Sequence, residues 1–285
     1  MDNMKNLIID SINNFVFESK HNRILTTDTP YFEKPLVKFA VARDSLFEEY
    51  KQIIGPFHQT PHEAFEMEFG EGSFHTGTVI SIVLPVSEII RKSNRSQKDF
   101  SSIEWALLRT FGDEFFIHLL TEHIITLLKQ QGFRALAPSQ SKNFKTTRTD
   151  AGPTSNWSER HIAYVAGQGS FSLNDGFITE RGMAVRMTSI VTDAILDADK
   201  RTVKHHTENC LFCSKGSCGA CIKRCPAGAI SKDGHDKNKC FAFVYSEEAR
   251  QRAVALGGEY KFSAGCGLCQ TKVPCEFNNP RAKNK

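Results

Sequence analysis

The apolar positions of this chain recur at two spacings, which predict helices and strands in its first 200 residues. Residues 3–19 and 102–131 carry apolar side chains at helical spacing, the second run with a break near Gly112. Short apolar or β-branched runs predict strands at residues 37–42, 76–86, 133–137 and 183–192. The alternation of these elements predicts a mixed α/β domain.

Residues 138–156 follow neither spacing. The segment is polar throughout, and an irregular segment of this length inside a compact domain is usually functional or mobile, so we expect a long loop there. The pattern then predicts a helix at residues 157–166 and a glycine- and serine-rich turn at residues 167–176.

Composition limits the setting of the protein. No apolar run approaches the roughly 18 residues that a membrane-spanning helix needs. The N-terminal segment, residues 1–17, lacks a basic stretch followed by an apolar one, and it lacks a twin-arginine pair. We therefore expect a cytoplasmic protein without a membrane segment.

The cysteines divide the chain. All nine lie between Cys210 and Cys275, and the preceding residues contain none. In a protein that is not exported, such a cluster indicates metal ligation rather than disulfides. We expect two domains, residues 1–200 and 201–285.

Charge changes at the same boundary. From Arg201 onward there are 15 Lys and Arg against 7 Asp and Glu, a net charge of +8, which leaves a net charge of −4 for the rest. A basic second domain suits an acidic electron donor or a polyanion such as RNA. It equally suits a domain whose positive side chains offset the charge of thiolate clusters.

The segment CGACIKRCP has the most specific spacing in the chain. Cys218, Cys221 and Cys225, the last followed by Pro226, match the final three cysteines of the bacterial ferredoxin run C-x2-C-x2-C-x3-C-P. The position of the expected first ligand is a lysine, which leaves Cys210 and Cys213 as alternatives. This element predicts iron–sulfur clusters of the [4Fe-4S] type.

A second set of cysteines completes two clusters. It comprises Cys240, Cys266, Cys269 and Cys275. In two-cluster ferredoxins the cysteine before proline ligates the other cluster. That crossed arrangement gives one cluster bound by Cys210 or Cys213 with Cys218, Cys221 and Cys275, and another bound by Cys225, Cys240, Cys266 and Cys269. Two zinc sites built on the C-x2-C pairs are the alternative, but zinc has no need for the C-x3-C-P element.

The first domain carries no G-x-G-x-x-G after a strand and no phosphate-binding G-x-x-x-x-G-K loop. Residues 157–193 contain glycines that allow either a close backbone approach to a flat ligand or only a tight turn. Together with the cysteine module, this segment resembles the epoxyqueuosine reductase and reductive dehalogenase superfamily. The matching positions are Glu159-Arg160, Ala166-Gly167, Gly169, Ile178-Thr179, Arg186, Ser189 and Thr192-Asp193.

The resemblance implies an α+β protein, with a nitroreductase-like α/β cofactor domain followed by a two-[4Fe-4S] ferredoxin-like domain. It implies a base-off corrinoid, cobalamin, beside one cluster, and electrons that reduce its cobalt for a reductive elimination. Its cofactor contacts would be Arg160, Gly167, Gly169, Ser170, Phe171, Arg186 and Ser189. Asp150, in a D-x-x-P context, would be the proton donor; the alternative is a solvated turn aspartate.

The implied function is a cobalamin-dependent iron–sulfur oxidoreductase that performs a two-electron reductive elimination or deoxygenation. Its electrons would come from ferredoxin or flavodoxin, and its substrate would be a small molecule or a modified nucleoside, with tRNA binding left open. Two alternatives remain: an FMN-dependent reductase on the same fold, and a non-catalytic activator that reduces a partner corrinoid protein. The cluster spacings depart from the family pattern, so the resemblance does not name a substrate.

Overall fold

The computed structural model of the protein describes residues 2–24 and 26–282. Its helices are α1 (Asp2–Glu18), α2 (Leu46–Ile53), α3 (Pro61–Phe69), α4 (Glu88–Arg95), α5 (Ile103–Leu107), α6 (Ile117–Gln130), α7 (Glu159–Val165), α8 (Leu211–Lys215), α9 (Ala220–Arg224), α10 (Lys237–Val244) and α11 (Glu247–Ala255). A π-helical stretch, Leu108–Phe116, joins α5 to α6. In the described chain no helix is long and apolar enough to cross a membrane.

The strands are shorter and more numerous. They are β1 (Arg23–Ile24), β2 (Thr29–Pro30), β3 (Leu36–Val41), β4 (Thr78–Pro85), β5 (Ala135–Leu136), β6 (Thr146–Thr149), β7 (Gly152–Ser155), β8 (Gly169–Phe171), β9 (Phe177–Thr179), β10 (Val185–Thr192), β11 (Ile230–Ser231) and β12 (Gly234–His235). Helices and strands mix along the chain, as the apolar pattern predicts.

A four-stranded antiparallel sheet with the order β3-β4-β10-β5 forms the centre of the fold. Strand β4 is buried along its whole length, and β10 pairs with it from Val185 opposite Pro85 to Thr192 opposite Thr78. A central strand covered on both faces favours apolar or small uncharged side chains at every position. This preference explains why residues 76–86 form a run of apolar and small side chains without a charge.

Helices cover both faces of the sheet. On one face α1, α5 and α6 contribute Ile8, Trp105 and Leu120 to a large apolar cluster. On the other face α2, α3 and α7 bury side chains such as Phe65 and Ile162. The predicted break near Gly112 is wrong, because the helix continues through this residue as the π-helical stretch. A Cβ on Gly112 would lie 2.9 Å from Leu108 and 3.3 Å from the Phe32 ring.

The prediction of an irregular loop over residues 138–156 is wrong. Strands β6 and β7 form a hairpin in this segment, with Thr146 opposite Ser155 and Thr149 opposite Gly152. Its strand β6 is exposed at every position, so the segment lacks the alternation of apolar and polar residues that signals a strand. Part of the predicted glycine-rich turn at residues 167–176 is also strand, because β8 and β9 pair there.

The cysteine-rich segment packs against the sheet domain through backbone contacts. The Met183 amide donates to the Cys275 carbonyl at 2.7 Å, and the Ala184 amide donates to the Glu276 carbonyl at 3.0 Å. A third apolar cluster joins Ile178 and Met183 to the cysteine loops. These contacts bring the cysteines next to the end of β10 that begins at Val185.

Candidate functional site

Four cysteines from three separate segments line one cavity, and we call Cys210, Cys218, Cys221 and Cys275 the first thiol group. Burial and the neighbouring charges of Cys210, Cys221 and Cys218 raise the pKa of Cys275 to about 12. Burial, followed by Cys210 and Cys218, raises the pKa of Cys221 to about 11. Thiolates gathered in this way repel one another unless a cation shares the site.

Four further cysteines form a second thiol group, Cys225, Cys240, Cys266 and Cys269. Burial, the strongest effect, and the charges of Cys240 and Cys225 raise the pKa of Cys266 to about 11. Burial and the charges of Cys266, Cys240 and Cys225 also raise the pKa of Cys269. The two groups have the same members as the two sets of the crossed arrangement, and ligation itself stays a prediction.

The alternative first ligands, Cys210 and Cys213, lie in different surroundings. Cys210 is buried and lines the cavity of the first thiol group, whereas Cys213 is exposed and does not line that cavity. Partial burial, the charge of Cys210 together with a side-chain hydrogen bond to it, and the charge of Cys221 raise the pKa of Cys213 to about 12, so Cys213 lies at the exposed edge of the same thiol group. Position therefore favours Cys210 over Cys213 as the ligand.

Side chains from the sheet domain hold the second thiol group in place. The Asn94 amide donates to the Cys266 carbonyl at 3.3 Å, and the Asn174 amide donates to the Cys269 carbonyl at 3.1 Å. Within the cysteine-rich segment itself, Arg224 Nε donates to the carbonyls of Leu268 and Thr271, each at 3.2 Å. In the part of the chain that is described, no group of three or more His, Cys, Asp or Glu side chains is arranged to hold a single metal ion.

Arg186, a predicted cofactor contact, lies on β10 beside the second thiol group. Its Nε donates to Asp113 Oδ2 at 2.6 Å, and its Nη1 lies 3.5 Å from Gln270 Oε1, next to Cys269. Its guanidinium lies 5.2 Å from the centre of the Trp105 ring. Arg186 therefore links β10, the π-helical stretch and the cysteine loop.

Two further acidic side chains of the cofactor domain, Asp113 and Glu159, are largely buried. Asp113 Oδ2 accepts from Arg186, while Ser189, Ser139 and Trp157 lie within hydrogen-bonding reach of Glu159. Burial raises the pKa of Glu159 and that of Asp113. Asp113 was missed by sequence reasoning because one acid within a helical pattern carries no signal.

The predicted glycine contacts have partners within their own chain. A Cβ on Gly169 would lie 2.1 Å from the Ile178 carbonyl oxygen on the paired strand. Gly167 has a φ of +75°, and its Cβ would lie 2.9 Å from the Lys200 carbonyl oxygen. Chain packing alone thus requires glycine at both positions, and their contact with a cofactor stays a prediction.

The remaining predicted cofactor contacts lie around α7 and the hairpin β8–β9. Ser170 Oγ accepts from the backbone amide of Asn209 at 2.8 Å, and Ser189 Oγ accepts from Trp157 Nε1 at 3.0 Å. The Phe171 ring lies 4.7 Å from that of His161, centroid to centroid. Arg160 Nη1 donates to the Asp175 carbonyl oxygen at 2.5 Å.

Asp150, the predicted proton donor, lies apart from these residues. With Ala151 it forms the exposed two-residue turn of the hairpin β6–β7. Pro153, three residues later in the same hairpin, lines a cavity together with Arg160 and Cys240. The structure therefore places the hairpin beside the second thiol group and leaves Asp150 at its exposed tip.

No protein-family model matches the sequence, and no curated protein matches it. Solved structures do match. A selenomethionine-labelled epoxyqueuosine reductase aligns with a TM-score of 0.55 and a sequence identity of 16%. An epoxyqueuosine reductase with an epoxyqueuosine-modified tRNA stem–loop aligns with a TM-score of 0.54 and an identity of 18%. The Bacillus subtilis epoxyqueuosine reductase, with its catalytic aspartate loop swung out of the active site, aligns with a TM-score of 0.51 and an identity of 17%.

Each of these three alignments covers 96% of this chain and 65% or 66% of the other chain. Reductive dehalogenase structures also align, with a TM-score of up to 0.49, which is too low to bear on the chemistry. The superfamily resemblance in the sequence is thereby confirmed at the level of the fold. The chain has the fold of epoxyqueuosine reductase and spans about 65% of the length of the chains that it matches.

Proposed function

We propose that the protein is an iron–sulfur, cobalamin-dependent reductase resembling epoxyqueuosine reductase. It performs a two-electron reductive elimination or deoxygenation on a substrate that is still unidentified. One observation carries the proposal: two separate thiol groups adjoin the sheet domain, and the second of them lies beside the Arg186–Asp113 ion pair. The resemblance in sequence and the shared fold support the same chemistry.

In this proposal the two thiol groups hold two [4Fe-4S] clusters in a ferredoxin-like domain from residue 201 onward. Cys210, Cys218, Cys221 and Cys275 bind one cluster, and Cys225, Cys240, Cys266 and Cys269 bind the other. The raised thiol pKa values suit metal sites, because cluster binding replaces protons that the crowded thiols otherwise retain. The Asn94, Asn174 and Arg224 hydrogen bonds to the cysteine loops orient the second group.

The cofactor domain, residues 1–200, would hold the corrinoid through residues on α7, the hairpin β8–β9 and β10. The proposed contacts remain Arg160, Gly167, Gly169, Ser170, Phe171, Arg186 and Ser189. When bound, the clusters supply single electrons and the corrinoid supplies a two-electron reducing centre.

Asp150 is the proposed proton donor to the substrate. Its carboxyl lies on an exposed two-residue turn. A movement of the hairpin β6–β7 would carry it toward the proposed cofactor contacts. The Bacillus subtilis structure with a catalytic aspartate loop swung out of the active site supports such a movement. A short polar hairpin with one exposed strand is a suitable mobile element.

The electron donor and the substrate are proposed by class. The basic second domain favours an acidic ferredoxin or flavodoxin as donor. A modified nucleoside is a candidate substrate because one matched enzyme was solved with an epoxyqueuosine-modified tRNA stem–loop. Small molecules with a leaving group next to a reducible carbon are the other class.

Anaerobic purification followed by cofactor titration tests the proposal. We expect a brown protein with about eight iron atoms per chain, as two four-iron clusters require. Cob(II)alamin should bind and give a base-off spectrum. Binding of FMN alone would replace the corrinoid by a flavin, and binding of neither would favour an electron-transfer activator. Two zinc ions and no iron would overturn the proposal.

A further inference from the structure

A charged cavity of about 190 Å³ lies beside Cys240 of the second thiol group, between the hairpin β6–β7, α7 and α10. Its polar lining consists of Arg160, Asp175, His235 and Lys237. These residues come from three separate segments, around residues 160, 175 and 235–237, so only the folded chain brings them together. Phe241 and Tyr245, stacked with 4.5 Å between ring centres, form an aromatic wall.

The two permanent cations of this cavity form no direct ion pair with its one carboxylate, that of Asp175, although Asp175 lies close enough to attract both. Within the described chain neither Arg160 nor Lys237 forms an ion pair with a carboxylate. Arg160 donates only to the backbone carbonyl of Asp175, and the Asp175 carboxylate is already engaged by His235 Nδ1 at 3.1 Å. Two permanent cations therefore face the cavity, and its single carboxylate has another partner.

The Arg160 side chain lines this cavity and is exposed, so its guanidinium is accessible to an anion from solvent. The planar guanidinium fork matches the oxygens of a phosphate, and a lysine ammonium adds a second charge. The aromatic wall offers a stacking surface for the organic part of a phosphate ester.

We propose that this cavity binds the phosphate of a phosphate ester, held by Arg160 and Lys237. The inference rests on the proposed function for its consequence, because a ligand there lies against Cys240 and the hairpin that carries Asp150. The phosphate comes either from the cofactor, as the nucleotide tail of a corrinoid or the phosphate of FMN, or from the substrate. Both sources share the same recognition chemistry.

Calorimetry with pyrophosphate on the cluster-loaded protein tests the subsite directly. We expect binding that Arg160→Met and Lys237→Met each weaken by about tenfold or more, since each removes a charge-assisted contact. Lys239→Met is the matched control, because Lys239 lies on the same helix, is exposed and pairs with Asp236. Unchanged iron content and circular dichroism show that a variant is folded.

Ligand pairs that differ in phosphate identify its source. If the cofactor supplies it, Arg160→Met weakens cobalamin binding and not cobinamide binding, or FMN binding and not riboflavin binding. If the substrate supplies it, only pyrophosphate binding falls. Absent pyrophosphate binding, or equal binding by all four proteins, overturns the subsite. If neither corrinoid nor flavin binds while pyrophosphate still depends on Arg160, the proposed function fails and the subsite stands.

Discussion

Arg186 on β10 and Asp113 in the π-helical stretch form a largely buried ion pair, with 2.6 Å between Arg186 Nε and Asp113 Oδ2. Their side chains are 18% and 12% exposed, and Arg186 also covers the face of the Trp105 ring. The pair joins the strand that leads away from the cysteine module to the longest helical segment of the fold. Loss of the pair should therefore lower the stability of the protein and change the position of Arg186 beside the second thiol group.

Asp113→Asn should lower the free energy of unfolding by on the order of 3 kcal/mol, because the substitution leaves a buried guanidinium without its counterion. Denaturant unfolding of the cluster-loaded protein measures this change. Glu114→Gln is the control: Glu114 pairs with Arg109 but is 36% exposed. Its loss should cost less than about 1 kcal/mol. An equal decrease in the free energy of unfolding of the two variants would show that the Arg186–Asp113 pair stabilises the protein no more than the exposed pair does.

Cys210→Ser and Cys213→Ser should differ in iron content. Cys210 is buried in the cavity of the first thiol group, while Cys213 is exposed outside it. We expect Cys213→Ser to keep about eight iron atoms per chain and Cys210→Ser to lose about half of them, since one four-iron cluster depends on each ligand set. Iron analysis and the visible absorption of anaerobically purified variants measure the outcome. The opposite pattern would assign the ligand to Cys213.

Asp150→Asn should separate proton donation from cofactor binding. The amide cannot supply a proton, so single-turnover oxidation of the reduced enzyme by a candidate substrate, such as an epoxyqueuosine-modified stem–loop, should slow by about a hundredfold or more. Cobalamin binding should be unchanged. Asp233→Asn is the matched control, because Asp233 also lies in an exposed two-residue hairpin turn, between β11 and β12. Full turnover by Asp150→Asn would remove Asp150 from the mechanism.

His58 should make stability depend on pH. The ring is fully buried, its Nε2 accepts from the Ser158 amide at 3.2 Å, and burial is the main reason that its pKa falls to about 4. The unfolded chain protonates this histidine near its ordinary pKa, 6.5, whereas the folded chain does not. Its contribution is therefore fully present above pH 6.5 and is lost as the pH falls toward 4.

Between pH 7.5 and pH 5.5 this loss should reach on the order of 1 kcal/mol. Urea unfolding at the two pH values, compared between the native protein and His58→Gln, measures it. The variant lacks the titrating ring and should show a correspondingly smaller decline. His62→Gln serves as the control, since the side chain of His62 is 46% exposed. A decline that is identical in all three proteins would assign the pH dependence to other groups.

Local patterns in the sequence predicted much of the fold. The β-branched and apolar run at residues 76–86 predicted β4, and the helical spacing at residues 102–131 predicted α5 to α6, although the expected break near Gly112 is instead a π-helical stretch. Both patterns are visible in the sequence because the burial of each residue follows from its own position along the helix or strand. The hairpin β6–β7 escaped prediction because its pairing depends on backbone hydrogen bonds between exposed polar residues.

For the candidate site, the sequence by itself determined the residue types and the local spacing: nine cysteines, a C-x3-C-P element and the residues that resemble the superfamily. The crossed arrangement of two-cluster ferredoxins also predicted from the sequence that Cys275 joins the first thiol group. Only the tertiary structure separated the burial of Cys210 from that of Cys213 and paired Arg186 with Asp113. Those relationships depend on how the cysteine-rich segment packs against β10. Contacts between residues far apart in the sequence produce no local sequence pattern, so the sequence did not predict them.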